Sequence, residues 1–351
     1  MNVLLAEDER ITRASLQREL ERWGHTVTAV EDGAKAWDHL AQHDFDLVLT
    51  DWEMPGLSGP DLVRRIRDRG SHRYIFVVIL TGRSEKSDIV AGMEAGADDF
   101  LAKPFDREEL RVRLAAGERI VRLERTLADL NANLQAKVDE QSAEIVRSRD
   151  AVIFGLAKLA DSRDNETGQH LERVCAYSEV LGGELLRRGL LPDAAAVRTL
   201  ASTAALHDIG KVAAPDAVLR KPGPLTDEER AIMQRHPTAG GEALRAIKDR
   251  WGDTPFLTTA VEIALCHHEK WGGGGYPNGL VGDAIPISAR VVALADVYDA
   301  LTSKRVYKPP MPHERAAAVI RESAGTRFDP AVVDAFGAVE GEFREIARRL
   351  S

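Results

Sequence analysis

The chain has 351 residues, and at roughly 100–200 residues per domain this length favours two domains. Hydrophobic residues make up 44% and charged residues 29%, a balance that is typical of a globular chain and excludes a disordered one. The formal net charge of −9 excludes an overall positive field, so no nucleic-acid partner is expected. With two cysteines and no apolar run near the roughly 18 residues of a membrane span, we expect a cytoplasmic protein without a membrane partner.

Residues 1–118 alternate short apolar runs with amphipathic stretches. Strands that alternate with helices in this way pair in parallel and are covered by helices on both faces. The sequence therefore predicts a doubly wound α/β domain over residues 1–118. Its five-stranded parallel sheet should contain Val3–Ala6, Thr26–Val30, Asp46–Thr50, Ile75–Leu80 and Asp99–Ala102.

Residues 119–150 carry a leucine stripe with a helical period. Apolar residues follow three-four spacing from Ile120 to Leu134, and the stripe then steps by four residues to Val138 and continues to Ile145. A step of this kind interrupts the heptad repeat of a coiled coil. No Pro or Gly breaks the stretch, so we predict a coiled-coil-like linker helix over 119–150 and a homodimer that pairs through it. The alternative is a helix that packs back on its own domains.

Residues 151–351 show no alternating strand pattern. Apolar residues recur at helical spacing in stretches such as Leu171–Arg188 and Thr258–His268, and Gly and Pro separate these stretches. The sequence therefore predicts an all-α domain over residues 151–351.

Carboxylate, hydroxyl and lysine side chains follow four of the five predicted strands, at the point where each strand ends. In an open parallel sheet, ligands bind beyond the carboxyl ends of the strands. Carboxylates gathered at that edge repel one another unless a hard cation lies among them, and Mg²⁺ prefers such oxygen ligands. Asp51 would then accept a phosphoryl group, while Mg²⁺ and a lysine offset its charge. The set comprises Glu7 and Asp8 after the first strand, Asp51 after the third, Thr81 after the fourth and Lys103 after the fifth.

Residues 1–118 resemble the receiver domain of response regulators. The resemblance rests on the acidic pair, the acceptor in Asp51-Trp52-Glu53-Met54-Pro55-Gly56, the hydroxyl of Thr81 and the Lys103-Pro104 dipeptide. It implies phosphorylation of Asp51 by a cognate histidine kinase. It also implies Mg²⁺ bound by Asp8, Asp51 and the backbone carbonyl of Glu53, and an aromatic switch at Phe100.

Histidines and carboxylates cluster in the second half of the chain. Mixed imidazole and carboxylate ligands suit Fe, Mn or Zn, and this set exceeds what one tetrahedral ion can use. Two or three metals are therefore expected, and a site with two metals activates water for in-line attack on a phosphate. The sequence therefore favours metal-dependent phosphodiester hydrolysis. The residues are Glu166 and His170, His207-Asp208, His236, His267-His268, and Asp296 within an apolar helical pattern.

These motifs resemble the HD-GYP family of HD phosphohydrolases over roughly residues 151–340. The stretches that carry the resemblance are His207-Asp208-Ile209-Gly210-Lys211, His267-His268-Glu269-Lys270-Trp271, Gly275-Tyr276-Pro277 and Ala295-Asp296-Val297-Tyr298-Asp299. By resemblance, the metal ligands are Glu166, His170, His207, Asp208, His236, His267, His268 and Asp296, with Asp208 bridging two metals. The resemblance also implies catalytic roles for Asp208 and Lys211, and substrate contacts from Lys211, Gly275, Tyr276, Pro277, Arg305 and Lys308.

The resemblance implies that phosphorylation controls hydrolysis of cyclic di-GMP to pGpG and onward to GMP. Two alternatives remain open: a catalytically slow output that binds the dinucleotide or docks a protein, and a hydrolase of a mixed cyclic dinucleotide. One position departs from the family pattern, because Gly272 stands where members commonly have Asp or Asn. Four consecutive glycines at 272–275 raise the entropic cost of ordering that loop.

Overall fold

The computed structural model describes residues 1–70, 73–82, 86–163, 169–303 and 310–350, and for 86–89 the backbone alone. Contacts divide the chain into two compact units, Met1–Ser142 and Ala143–Ser351. Among the described residues, no helix combines the length and the apolar character that a membrane span requires.

The N-terminal unit contains a five-stranded parallel sheet with the strand order β2-β1-β3-β4-β5. The strand order reverses next to β1, which places the carboxyl ends of β1 and β3 side by side at the edge where ligands bind. The predicted α/β fold is confirmed, and each strand lies within one residue of its predicted position. The strands are β1 Asn2–Ala6, β2 Thr26–Val30, β3 Leu47–Asp51, β4 Phe76–Thr81 and β5 Asp99–Ala102.

Helices α1 Arg10–Arg22, α2 Gly33–Gln42, α3 Gly59–Asp68 and α4 Lys86–Glu94 connect these strands. Successive strand residues point to opposite faces of the sheet, so the buried side chains separate into two cores. Leu4, Val48 and Ile79 belong to one core. Val3, Leu49 and Val78 belong to the other. Both faces are apolar and covered, which explains why the strands read as continuous apolar runs.

Helix α5 runs without interruption from Arg107 to Asp161. Its first turns pack on the sheet through Leu110, Leu114 and Val121, which are buried. Gly117 permits close contact there, because a Cβ at this position would lie 2.5 Å from the ring of Phe76. The predicted boundaries of the linker, at residues 119 and 150, fall inside this single helix and remain predictions.

The predicted leucine stripe lies on an exposed face of α5. Each of its residues from Leu123 to Ile145, namely Leu123, Leu127, Leu130, Leu134, Val138 and Ile145, is more than half exposed. The stripe continues past the predicted linker through Val152, Leu156 and Leu159, which are also more than half exposed. Ala157 in the same segment is buried and belongs to the core of the C-terminal unit. A long apolar face on an otherwise polar helix is typical of a surface that binds a partner.

The named secondary-structure elements among the described residues of the C-terminal unit are all helices, as the all-α prediction expects. Its largest core gathers the aromatic rings of Tyr177, Tyr298, Phe336 and Phe343, whose ring centres lie 4.6–5.7 Å apart in the contacting pairs. Pairs at such distances stabilise a core beyond the burial of their area. The α-helices are α6 His170–Arg187, α7 Ala194–Thr203, α8 Asp216–Leu219, α9 Asp227–Met233, α10 His236–Trp251, α11 Pro255–Cys266, α12 Ile287–Thr302, α13 His313–Glu322 and α14 Pro330–Arg349.

Two short 3₁₀ helices follow α7, Ala204–Leu206 and Ile209–Ala213. The His207-Asp208 pair lies between them. Gly210 in the second one meets α10 closely, because a Cβ there would lie 2.0 Å from the carbonyl oxygen of His236. Because residue 210 is a glycine, the backbone of this 3₁₀ helix packs directly on the backbone of α10. This contact brings Asp208 next to His236, the first residue of α10.

Candidate active site

The acidic pocket forms at the carboxyl edge of the sheet. Nζ of Lys103 lies 2.8 Å from Oε2 of Glu7 and 3.1 Å from Oδ2 of Asp51. Oδ1 of Asp51 accepts a hydrogen bond of 2.8 Å from the backbone N–H of Trp52. Glu7, Asp8 and Asp51 each offer an oxygen within 4.8 Å of the others, a spacing that suits a single cation.

Burial, only partly offset by the hydrogen bond from Lys103, raises the pKa of Glu7. Burial also disfavours the charged form of Lys103, but its hydrogen bonds to Glu7 and Asp51 outweigh this and raise its pKa. The lysine therefore stays cationic beside the proposed phosphoacceptor, where it can neutralise an incoming phosphoryl group.

The other predicted receiver residues lie on β4, on β5 and in the loop after β3. Thr81 is buried at the end of β4, Phe100 is half-buried in β5, and Glu53 is exposed two residues after Asp51. The sequence missed Arg13 of α1, whose Nη1 donates to the carbonyl oxygens of Glu7 at 2.7 Å and Asp8 at 3.0 Å. Arg13 thus holds the acidic loop in place from the neighbouring helix.

Asp208 lies between two groups of histidines in the C-terminal unit. Its Oδ1 is 3.1 Å from Nε2 of His236 and 3.6 Å from Nε2 of His267. Its Oδ2 is 3.2 Å from Nε2 of His207 and 2.9 Å from Nζ of Lys211. Among the described residues, Asp208 belongs both to a cluster with His236, His267 and His268 and to a cluster with His170 and His207. An ion held by either cluster would therefore have an oxygen of Asp208 among its candidate ligands.

Each of three rings is oriented by a backbone carbonyl. The Nδ1 atoms of His207, His236 and His267 donate to the carbonyl oxygens of Ala204 at 2.8 Å, Met233 at 2.8 Å and Ile263 at 3.0 Å. A carbonyl oxygen can only accept, so Nδ1 carries the proton and the lone pair of each neutral ring lies on Nε2. This orientation by a partner on the other ring nitrogen is typical of metal-binding histidines.

The converging Nε2 atoms fit a cation. Nε2 of His236 and Nε2 of His267 are only 3.3 Å apart, so two lone pairs would repel each other unless a positive ion lies near both. In addition, Nε2 of His207 and Oδ1 of Asp208 are buried and lack a hydrogen bond of normal geometry within the described residues. Buried polar atoms rarely stay unsatisfied in this way. The donor set of imidazoles and carboxylates thus fits divalent transition metals.

The charges of the site are coupled. Burial would lower the pKa of His207, but the carboxylates of Asp208 and Asp296 outweigh it and raise this pKa to about 9, so without a metal Nε2 of this ring carries a proton where an ion would otherwise lie. Burial would raise the pKa of Asp208, but Lys211 and His207 hold it well below its ordinary value. Asp208 is therefore an anion in the folded chain, and the site attracts positive charge.

His170 opens α6 and faces Asp296 of α12, with 3.8 Å between Nε2 and Oδ1. Its Nδ1 lies 2.8 Å from Oδ2 of Asp299. Asp299 is buried and also accepts from Arg173, at 2.5 Å from Nε and 3.0 Å from Nη2. This geometry indicates that Asp299 orients the ring of His170.

The glycine-rich loop places Tyr276 over the histidines. The ring of Tyr276 stacks on His268 with 4.7 Å between ring centres. The loop is held by Glu269, which is 4% exposed and accepts hydrogen bonds from the backbone N–H of Asn278 at 2.8 Å and Leu280 at 3.0 Å. Gly275 approaches Glu269 so closely that a Cβ would lie 2.5 Å from its Cα. Glu269 belongs to the motif His267-His268-Glu269-Lys270-Trp271, but the motif alone did not indicate that its side chain holds the loop.

Three predicted site residues, Glu166, Arg305 and Lys308, lie outside the described residues. The described ones converge, since Lys211 contacts Asp208 and Tyr276 contacts His268.

Family models match both parts of the chain. The response regulator receiver domain matches residues 3–115, and the HD domain matches residues 156–332. The chain belongs to the HD-GYP family of response regulators. This membership confirms the resemblance drawn from the motifs.

Relatives of this family align over most of the chain. It is 41% identical to a probable cyclic di-GMP phosphodiesterase of Vibrio cholerae, over 99% of its own length and 80% of that protein. It is 34% identical to the cyclic di-GMP phosphodiesterase response regulator RpfG of Xanthomonas campestris, over 100% of its own length and 91% of that protein. The 3'3'-cGAMP-specific phosphodiesterase 2 of Vibrio cholerae is 41% identical over 69% of this chain and 43% of that protein.

Proposed function

We propose that this response regulator hydrolyses cyclic di-GMP to pGpG, and onward to GMP, at a centre of two or three divalent metals. The observation that carries the proposal is the position of Asp208 between two groups of histidines whose Nε2 atoms converge on it. The names of two relatives that align over nearly the whole chain support this substrate.

His170, His207, His236, His267, His268, Asp208 and Asp296 would hold the metals, with Fe or Mn favoured by the mixed ligands. When bound, such metals supply Lewis acidity and an activated water for in-line attack. Asp208 is the residue shared by both histidine clusters. Lys211, 2.9 Å from Asp208, places a cation where the charge of the reacting phosphate develops. Tyr276 supplies an aromatic face beside His268 against which a substrate base or ribose can pack.

Phosphorylation of Asp51 by a histidine kinase would regulate this output. Lys103 is already placed between Glu7 and Asp51, and the same edge offers oxygens for Mg²⁺. The exposed apolar stripe of α5 would pair with the same stripe of a second copy, so that the helix joins the phosphorylated unit to the catalytic unit in a homodimer.

The proposal is tested by turnover of cyclic di-GMP by the full chain loaded anaerobically with Fe²⁺ or Mn²⁺, with metal content measured. We expect linear product from the wild type and from Asp249→Ala, a matched change of an exposed aspartate on α10. Asp208→Ala should lose both turnover and metal. Absence of turnover at full metal occupancy would contradict the hydrolase and favour an output that only binds the dinucleotide.

A second substrate is favoured by the relative that is specific for 3'3'-cGAMP. The two substrates share the phosphodiester chemistry and differ in one purine base. Parallel measurement of kcat/KM for cyclic di-GMP and for 3'3'-cGAMP distinguishes the two substrates. A kcat/KM for cyclic di-GMP that is lower than that for 3'3'-cGAMP would make 3'3'-cGAMP the preferred substrate.

A further inference from the structure

Arg163 lies in the turn that follows the last residue of α5. Its backbone N–H donates to the carbonyl oxygen of Ala160 at 3.4 Å. The N–H of Ser162 donates to the carbonyl oxygen of Lys158 at 2.9 Å, so the hydrogen bonding of the helix continues into the turn. The backbone of Arg163 is therefore attached to the end of α5.

The side chain of Arg163 binds the end of the second 3₁₀ helix and the residues that follow it. Its Nη1 donates to the carbonyl oxygen of Val212 at 2.5 Å, and its Nη2 donates to Oδ1 of Asp216 at 2.7 Å and to the carbonyl oxygen of Ala214 at 3.5 Å. In return, Nε of Arg220 donates to the carbonyl oxygen of Arg163 at 2.9 Å. The side chain of Asp216 is 63% exposed, so its ion pair alone would contribute little, and the backbone acceptors matter more.

A 3₁₀ helix of five residues needs support at both ends, because its hydrogen-bond geometry is poor and such helices are usually shorter. Its start is held where Gly210 packs on the backbone of α10. At its end, the last carbonyl groups have no partner within the helix, and an arginine side chain can bind them. Arg163 supplies this support through the carbonyl oxygen of Val212.

Lys211 precedes Val212 directly, and its Nζ lies 2.9 Å from Oδ2 of Asp208. The backbone N–H of Lys211 donates to the carbonyl oxygen of Asp208 at 2.9 Å, and its own carbonyl oxygen accepts from Ala214 at 3.0 Å. The backbone of Lys211 thus belongs to the turn that Arg163 caps. Asp208 precedes this turn and is surrounded by histidines, so loss of the cap would displace Lys211 more than Asp208.

We propose that Arg163 is a positioning residue, which holds Lys211 beside the reacting phosphate from the end of α5. This inference rests on the proposed function, in which the cation of Lys211 meets the charge that develops on the phosphate. Loss of an interaction that is made only in the transition state lowers kcat and kcat/KM equally and leaves KM unchanged. Loss of Arg163 should therefore act on kcat, while the metal ligands keep their ions.

The first test compares Arg163→Ala with Arg163→Lys in the full chain loaded with Mn²⁺, with metal content measured. For Arg163→Ala we expect kcat for cyclic di-GMP to fall about tenfold with KM and bound metal little changed, because a misplaced catalytic group loses much of its effect. Arg163→Lys keeps a donor for the carbonyl oxygen of Val212 and should recover part of kcat. Arg198→Ala on α7 controls for the loss of an exposed arginine.

A double-mutant cycle shows whether Arg163 acts through Lys211. In a Lys211→Ala background, Arg163→Ala should lower kcat by less than about twofold further, because the group that it positions is already absent. Equal fold losses of kcat in the two backgrounds would overturn the proposal. A loss of kcat that follows a loss of bound metal in Arg163→Ala would also overturn it.

Hydrogen exchange separates this inference from the proposed hydrolase. Amide exchange of residues 209–214, measured by mass spectrometry on the Mn²⁺-loaded chain, should be faster in Arg163→Ala than in the wild type, while exchange in α13 stays equal. Faster exchange would support the role of Arg163 even if the wild type turned over no cyclic di-GMP. Equal exchange would overturn it whether or not the wild type is active.

Discussion

The carboxylate of Asp299 accepts a hydrogen bond of 2.8 Å from Nδ1 of His170. This contact orients the ring so that its Nε2 faces Asp296. The same carboxylate binds Arg173, which completes a buried triad of imidazole, carboxylate and guanidinium. The residues come from α6 and α12, so the orientation of a proposed metal ligand depends on how these two helices pack.

Replacing Asp299 by Asn should lower metal affinity by about 10–100-fold, the usual effect of removing a carboxylate behind a ligating histidine. The amide can present its NH₂ group to His170 and then no longer fixes the ring proton on Nδ1. Metal content after dialysis against graded chelator measures the effect, with Asp249→Asn as the control. Equal retention of metal by both variants would contradict the orienting role.

The stability supplied by Asp299 should depend on pH. Burial would raise the pKa of Asp299, but hydrogen bonds from His170 and Arg173 outweigh this and hold it below its ordinary value. A carboxylate with a lowered folded-state pKa stabilises the fold above its unfolded pKa of about 4, and that contribution is lost as pH falls through the folded value. The difference in Tm between metal-free wild type and Asp299→Asn should therefore be largest near neutral pH and shrink as pH falls below about 4. A difference that stays constant over this range would be inconsistent with the triad.

Glu269 should act on substrate binding through the loop that it holds. Removing its carboxylate in Glu269→Ala leaves the N–H groups of Asn278 and Leu280 without their acceptor, at a cost of about 1–3 kcal/mol. We expect KM for cyclic di-GMP to rise several-fold while bound metal is retained, because Tyr276 loses its fixed position. Glu269→Gln keeps one acceptor oxygen and should recover part of the affinity. Loss of metal in both variants would instead indicate a direct effect on the histidines.

Two glycines of the same loop should differ sharply in their tolerance of alanine. At Gly275 the added Cβ would meet backbone atoms of Glu269 and Lys270 at 2.5 Å, and such atoms cannot move aside without displacing the loop. At Gly272 the contact with Thr326 is 3.1 Å, which a small shift of the turn relieves. Gly275→Ala should therefore lower the free energy of unfolding by about 3 kcal/mol or more, and Gly272→Ala by about 1 kcal/mol. Denaturant titration of both variants checks the order, and equal losses would contradict it.

The sequence predicted the strands and the histidine set because both depend on local information. The apolar run Asp46–Thr50 is only one residue away from the strand Leu47–Asp51, since burial on both faces leaves a continuous apolar pattern. The histidines and carboxylates that the structure brings together stood out as candidate ligands by residue type and spacing, and the resemblance to a family assigned their roles.

The supporting contacts could not be predicted in the same way. Arg173 and Asp299 are far apart in the chain, and Thr326 meets Gly272 through backbone atoms that leave no sequence signal. The four glycines suggested a costly, loosely ordered loop. In the structure Gly275 and Gly272 instead make close approaches, and Gly273 and Gly274 have positive φ angles of 92° and 72°.

The stripe on α5 alternates steps of three and four residues, and two four-residue steps follow each other from Leu130 to Leu134 and from Leu134 to Val138. Heptad repeats wind paired helices to the left, while repeats with an inserted four-residue step wind them to the right. The extra four-residue step therefore unwinds the superhelix locally, and the apolar face runs more nearly parallel to the helix axis there. Two such helices side by side would lie almost straight, and each could turn about its own axis without first unwinding a superhelix.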